Sequence, residues 1–159
     1  MVDDHDVIRR VTSLLIQDSF DAEVVGAKHG LEGLEIVKND PKGFDLILSD
    51  IHMPVMDGIE MISEIRSFNK DVKILVLSML DEYRVVRKMV SSNVQGYVLK
   101  EGDTKELMQA IKYVLDGEYY YSDSVVNVLK RRGPSNFNSF QTPEWSSSEK
   151  RVLELISKR

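Results

Sequence analysis

Cysteine is missing from all 159 residues, which excludes disulfides, thiol nucleophiles and thiolate-built metal sites; a zinc site would need other ligands. Long apolar runs are missing too: none approaches the roughly 20 residues that cross a bilayer. The N-terminus, Met-Val-Asp-Asp-His-Asp, has no basic stretch followed by an apolar one, so it does not read as a secretory leader. There is no excess of positive charge. The net charge of -5 gives no global pull toward nucleic acid or anionic membrane. No internal repeat is visible. Together these absences fit an intracellular chain and predict a cytoplasmic protein with no membrane partner. What remains is ordinary for a globular protein, 42% hydrophobic and 30% charged, with a length that suits one domain, or one domain and a fragment.

The apolar pattern alternates between helix and strand from Asp6 to about Gly117. Val7, Val11, Leu14 and Leu15 recur at helical spacing, as do Leu31, Leu34 and Val37, then Ile59, Ile62 and Ile65, then Val85, Val86, Met89 and Val90. Leu107, Ala110, Ile111, Val114 and Leu115 line a further helix, for which Thr104 is the expected cap. Between them lie short β-rich runs at Glu23–Ala27, Asp45–Ser49, Lys73–Ser78 and Gly96–Leu99. Strands separated by helices of this length predict an α/β fold, a parallel sheet covered on both faces. After Tyr119-Tyr120-Tyr121 an amphipathic stretch, Ser124 to Arg132, precedes a Gly-, Pro- and Ser-rich segment from Gly133 to Pro143 that reads as a linker. Ser146 and Glu149 then form a capping box for a helix with Val152, Leu153 and Ile156 as its apolar stripe.

The segment Asp50-Ile51-His52-Met53-Pro54-Val55-Met56-Asp57-Gly58 concentrates the chemical information. It follows the apolar run Leu46-Ile47-Leu48-Ser49, so Asp50 falls at the carboxyl end of a buried strand, where open α/β sheets place their chemistry. A strand-end Asp can also simply cap the next turn. Asp3 and Asp4 would join Asp50 if the first strand lies beside the third. Carboxylates gathered there repel unless a cation joins them, and an all-oxygen site of that kind suits Mg²⁺; a solvated acidic terminus is the other reading. Lys100 follows Tyr97-Val98-Leu99 and could balance the carboxylates and hold a phosphoryl oxygen, or could lie on the surface. Ser78 ends its strand with a hydroxyl that could bind a phosphoryl oxygen or cap a loop. An acidic cation site, a central carboxylate nucleophile, a hydroxyl and a lysine are what phosphoryl transfer onto Asp50 requires.

In that order, these motifs resemble the receiver domain of two-component response regulators, over about Val2 to Gly117. The resemblance implies a flavodoxin-like, doubly wound, five-stranded parallel sheet whose first strand is shortened, because only Met1 and Val2 precede Asp3. It implies that Asp50 is the phosphoacceptor, and that Mg²⁺ is held by Asp3, Asp4, Asp50 and the backbone carbonyl of His52. Ser78 and Lys100 would bind the phosphoryl group, and Tyr97 would be the aromatic switch that moves inward with Ser78. The His52 side chain would line the mouth of the site. The implied partners are a sensor histidine kinase and, on phosphorylation, a second copy of the chain.

The C-terminal segment resembles the opening of a LuxR-type helix-turn-helix of the NarL/FixJ class, with Trp145 where that family usually has Leu. The expected organisation is a receiver at 1–118, a connecting helix and linker at 119–143, and the first helix of the DNA-binding domain at 144–159. DNA contact is expected only through the complete helix-turn-helix, because the recognition helix does not follow here. The function implied is a transcriptional response regulator, not an enzyme beyond self-catalysed phosphorylation and dephosphorylation. Alternatives are a receiver acting only through protein–protein contact, or a degenerate, constitutive binding module. A Mg²⁺-dependent phosphatase with an Asp nucleophile would place a second Asp where His52 stands.

Overall fold

The computed structural model describes residues 1–131, 146, 147, 150–152 and 154. The expected linker from 133 to 143, Trp145, Glu149 of the capping box, and Leu153 and Ile156 of its stripe lie outside the described residues. In chain order the elements are α1 (Asp6–Phe20), α2 (Gly30–Asn39), β1 (Leu46–Ser49), α3 (Gly58–Phe68) and β2 (Lys73–Ser78). They continue with α4 (Tyr83–Ser91), β3 (Gly96–Leu99), α5 (Thr104–Leu115), β4 (Tyr120–Tyr121) and α6 (Asp123–Arg131).

The four strands form one parallel sheet in the order β1-β2-β3-β4, with Leu46 opposite Lys73, Leu75 opposite Gly96 and Gly96 opposite Tyr120. Beyond β1, Val2 makes a parallel rung with Ser49 on one side and with Ala27 on the other. The Val2 N–H donates to the Leu48 carbonyl at 2.8 Å and the Asp50 N–H donates to the Val2 carbonyl at 2.9 Å. Asp3 N–H reaches the Ala27 carbonyl at 3.0 Å. The spatial order is therefore Ala27, Val2, β1, β2, β3, β4, a doubly wound arrangement in which Val2 is the inner row.

Three sequence expectations change. The Glu23–Ala27 run contributes one rung at Ala27 instead of a strand, because its neighbour toward β1 is itself only a rung long. Tyr120–Tyr121, read from sequence as the entry to a connecting segment, adds a strand at the far edge. Its aromatic side chains fit a half-buried pleat, with Tyr121 buried and its hydroxyl donating to the Val94 carbonyl at 2.7 Å. The cap of α5 is likewise Asp103, whose Oδ1 accepts the Lys105 N–H at 3.0 Å; Thr104 is the first helical residue.

Alternation along the strands sends side chains to two faces. Ile47, Ile74, Val76 and Tyr97 pack with residues of α2, α3, α4 and α6. Leu48, Leu75, Leu77 and Val98 pack with Leu107, Ala110 and Ile111 of α5 and with Ile16 and Phe20 of α1. Burial on both faces explains why these strands read as continuous apolar runs. Tyr121, Val125, Val126 and Leu129 belong to the first cluster, as does Val152 in the helical C-terminal segment. There the Arg151 guanidinium lies 5.1 Å from the Tyr119 ring centroid, a cation–π contact. Among the described residues no helix is long and apolar enough to cross a membrane.

Candidate functional site

The site lies where Val2 and β1 end, the crevice at which a doubly wound sheet changes winding direction. Because Val2 is held between Ala27 and Ser49, the next residue, Asp3, is carried beside Asp50. Both are buried, Asp3 fully. Asp57 caps α3 by accepting the Glu60 N–H at 2.8 Å, and this fixes the far end of the loop that begins at Asp50. Gly58 is required there: a Cβ would stand 2.1 Å from the Asp50 carbonyl oxygen. The Gly58 N–H donates to the Ile51 carbonyl at 2.9 Å. Val55 at the loop tip takes a φ of 71°, a left-handed conformation that a β-branched residue adopts only under strain.

Lys100 joins the carboxylates. Its Nζ lies 2.5 Å from Asp50 Oδ2 and 2.8 Å from Asp3 Oδ2, with the lysine side chain 5% exposed. Burial alone would lower the ammonium pKa; the hydrogen bonds it donates to Asp3 and Asp50, with their charge, outweigh that and hold the pKa above the ordinary lysine value. Asp50 Oδ1 accepts the Ile51 N–H at 2.6 Å and the His52 N–H at 3.3 Å. The Lys100 backbone is anchored as well, its N–H donating to the Ser78 carbonyl at 3.0 Å, so strand pairing of β2 and β3 sets where the ammonium stands.

Ser78 is fully buried, and its Oγ accepts the Leu80 N–H at 3.2 Å. Tyr97 is fully buried too, and its hydroxyl donates to the Leu80 carbonyl at 2.5 Å. Burial pushes the Tyr97 phenol far above its usual range. One residue, Leu80, thus ties the Ser78 hydroxyl to the tyrosine.

The structure brings together Asp3, Asp4, Asp50 and Lys100. Ser78 and Tyr97 sit one strand and two strands over from β1, and the His52 side chain is exposed. One ligand atom each from Asp3, Asp4, His5 and Asp50 lies within 4.8 Å of the others. Asp4 Oδ1 is a buried atom that has no hydrogen-bond partner. Carboxylate oxygens gathered this closely fit a hard divalent cation. His5 was not singled out from the sequence, although it directly follows the acidic pair. Ser49 was also missed; its hydroxyl donates to the Asp50 carbonyl at 2.7 Å and steadies the strand end.

The family model for the response regulator receiver domain matches residues 1–112. A nitrate/nitrite response regulator protein homolog of Haemophilus influenzae is 29% identical over 134 residues, 83% of this chain and 63% of its own length. The chain thus spans less than two thirds of that relative. The nitrate/nitrite response regulator protein NarL of Escherichia coli K12 is 29% identical over 161 residues, 99% of this chain and 73% of its own length. A LuxR-family two-component response regulator from an Aurantimonas species superposes with a TM-score of 0.75 at 28% identity, covering 82% of this chain and 94% of that one. With the parallel sheet, the strand-end carboxylates and the match over more than half its length, the chain belongs to the response regulator receiver family.

Proposed function

We propose that this chain is the phosphoacceptor part of a two-component transcriptional regulator, with Asp50 taking a phosphoryl group from a phosphohistidine of a sensor kinase. The observation that carries this reading is the Lys100 ammonium set between Asp50 Oδ2 and Asp3 Oδ2 at a strand end. In the transfer, an Asp50 oxygen forms a bond to phosphorus as the phosphorus–nitrogen bond of the donor imidazole breaks. Asp3, Asp4, Asp50 and the His52 carbonyl would hold Mg²⁺, which supplies neutralisation of the phosphoryl charge. Lys100 gives a second positive charge to a phosphoryl oxygen. Ser78 Oγ accepts the Leu80 N–H and its hydroxyl lies against Tyr97, so turning its O–H onto a phosphoryl oxygen would change both contacts.

The same contacts suggest the signal. If Ser78 turns toward the phosphoryl group, the Leu80 N–H loses its acceptor, and the loop that Tyr97 grips through the Leu80 carbonyl must rearrange. Surfaces of α4, β3 and α5 then change their preference for a second copy of the chain, and dimerisation controls DNA binding through a complete LuxR-type helix-turn-helix. A second reading, a constitutive binding module, is favoured by Tyr97 being fully buried already.

Intact-mass spectrometry after incubation with acetyl phosphate and Mg²⁺ tests both. One phosphoryl adduct that requires Mg²⁺ and is absent from Asp50→Asn supports the phosphoacceptor. No adduct overturns it in favour of the constitutive module.

A further inference from the structure

We propose that Arg9 is a positioning residue of the cation site: by holding the main-chain carbonyl of Asp3, it sets where the Asp3 and Asp4 carboxylates stand. The proposal rests on the cation site proposed above and adds to it a residue that acts only through Asp3 and Asp4.

The sheet delivers Asp3 and then stops. Val2 makes a single rung to either side, and the last ladder bond of its row runs from the Asp3 N–H to the Ala27 carbonyl at 3.0 Å. Among the described residues no strand partner holds the peptide group between Asp3 and Asp4. A rotation of that peptide would swing the Asp4 carboxylate away from Asp50. Arg9 supplies the missing hold. Its Nη1 donates to the Asp3 carbonyl at 2.6 Å, while Nη2 pairs with Asp6 in the first turn of α1. Helical side chains lean toward the N-terminus of their helix, so an arginine one turn into α1 points back at the strand end. The planar fork serves both oxygens at once.

The rest of the side chain is fixed as well. It is only 16% exposed, although it ends in a guanidinium. Its stem runs beside Gly26, where an added Cβ would stand 3.5 Å from Arg9 Cδ. One residue thus ties α1 and the segment before Ala27 to the end of the Val2 row. Asp3 Oδ1 meanwhile accepts the His5 N–H at 2.8 Å, so the turn into α1 is held at the Asp3 side chain by His5 and at its main chain by Arg9. Charge and positioning predict opposite signs for Arg9. A guanidinium beside the carboxylates repels a divalent cation, so removing it on electrostatic grounds alone tightens cation binding. If Arg9 sets the carboxylates, removing it weakens binding, because the cation must then gather its own ligands.

The test is calorimetric titration of the full chain with Mg²⁺, together with the rate of Asp50 labelling by acetyl phosphate across Mg²⁺ concentrations. Arg9→Met keeps the apolar stem and removes the donors. It should weaken Mg²⁺ binding roughly tenfold or more and raise the Mg²⁺ needed for half-maximal labelling by the same factor. The rate at saturating Mg²⁺ should stay close to native, a split that general loss of stability would not produce. Arg9→Lys keeps one charged donor and should recover part of the affinity. Arg10→Met removes the same charge from an exposed neighbour and should not weaken binding. Unchanged or tighter Mg²⁺ binding in Arg9→Met would overturn the proposal. So would equal weakening in Arg10→Met, or a lower maximal rate with an unchanged Mg²⁺ dependence. If Arg9→Met does not fold, Arg9→Lys decides, and native-like Mg²⁺ binding in that variant then overturns the proposal. If the native chain binds Mg²⁺ and Arg9 does not matter, only this inference fails; if the native chain binds none, the cation site fails and this inference with it.

Discussion

Lys100 is the residue on which the site's electrostatics turn. It neutralises two buried carboxylates that would otherwise face each other across the end of the sheet. Breaking a buried pair from one side leaves an uncompensated charge. Lys100→Met is therefore expected to lower stability by about 3 kcal/mol in chelator-treated protein, measured by urea denaturation at neutral pH. Added Mg²⁺ should recover part of that loss, since a cation then takes over the neutralisation. The pH dependence has a definite sign. The folded-state pKa of Lys100 is raised, so its contribution is complete below the ordinary value of 10.5 and is lost as pH rises through the folded value. The gap between native chain and variant should be flat across neutral pH and close only in strongly alkaline solution.

At the scale of elements, one tie made of several hydrogen bonds lies far from the site. Arg66, in the last turn of α3, donates to the Ser92, Asn69, Val72 and Asn93 carbonyls and to Gln95 Oε1 at 2.8–3.3 Å. It thereby joins α3, the approach to β2 and the loop between α4 and β3. Burial lowers its pKa, the main effect, although Tyr119 and Asp71 oppose this. Arg66→Met keeps the apolar stem but orphans those acceptors, and about 3 kcal/mol of stability should be lost; a thermal melt with an unchanged far-UV spectrum would check it. The sequence gives no sign of this role. Four of the five acceptors are backbone or side-chain oxygens of segments 26 to 29 or 6 residues away, and no local pattern marks them. The strand-end positions of Asp50, Ser78 and Lys100 were legible for the opposite reason: each ends or directly follows an apolar strand, and strand ends are visible in sequence.

For the whole molecule, the question is where the folded unit ends. The family match stops at 112, yet Tyr121, Val125, Val126 and Leu129 are buried in the core cluster. Fully burying such side chains contributes about 1.5–3 kcal/mol each. A chain cut after Gly117 should therefore melt at least ~10 °C lower, whereas one cut after Arg131, which gives up only Val152 among the described core residues, should melt close to the full chain. Calorimetry of the two truncations decides this, and equal melting temperatures would place the boundary near 118, as the sequence alone predicts.

What the sequence determined by itself was the alternation of helix and strand, the parallel sheet and the order of the residues that end its strands, because apolar periodicity and turn chemistry are local. The tertiary structure alone decided three things. It placed Asp3 beside Asp50, which depends on Val2 pairing with Ser49 across more than forty residues. It added Tyr120–Tyr121 as an edge strand, since a two-residue strand exists only through the Gly96–Tyr97 edge it pairs with. And it turned His5 toward the carboxylates instead of its own helix, a choice between two nearby partners that only their positions in space can settle.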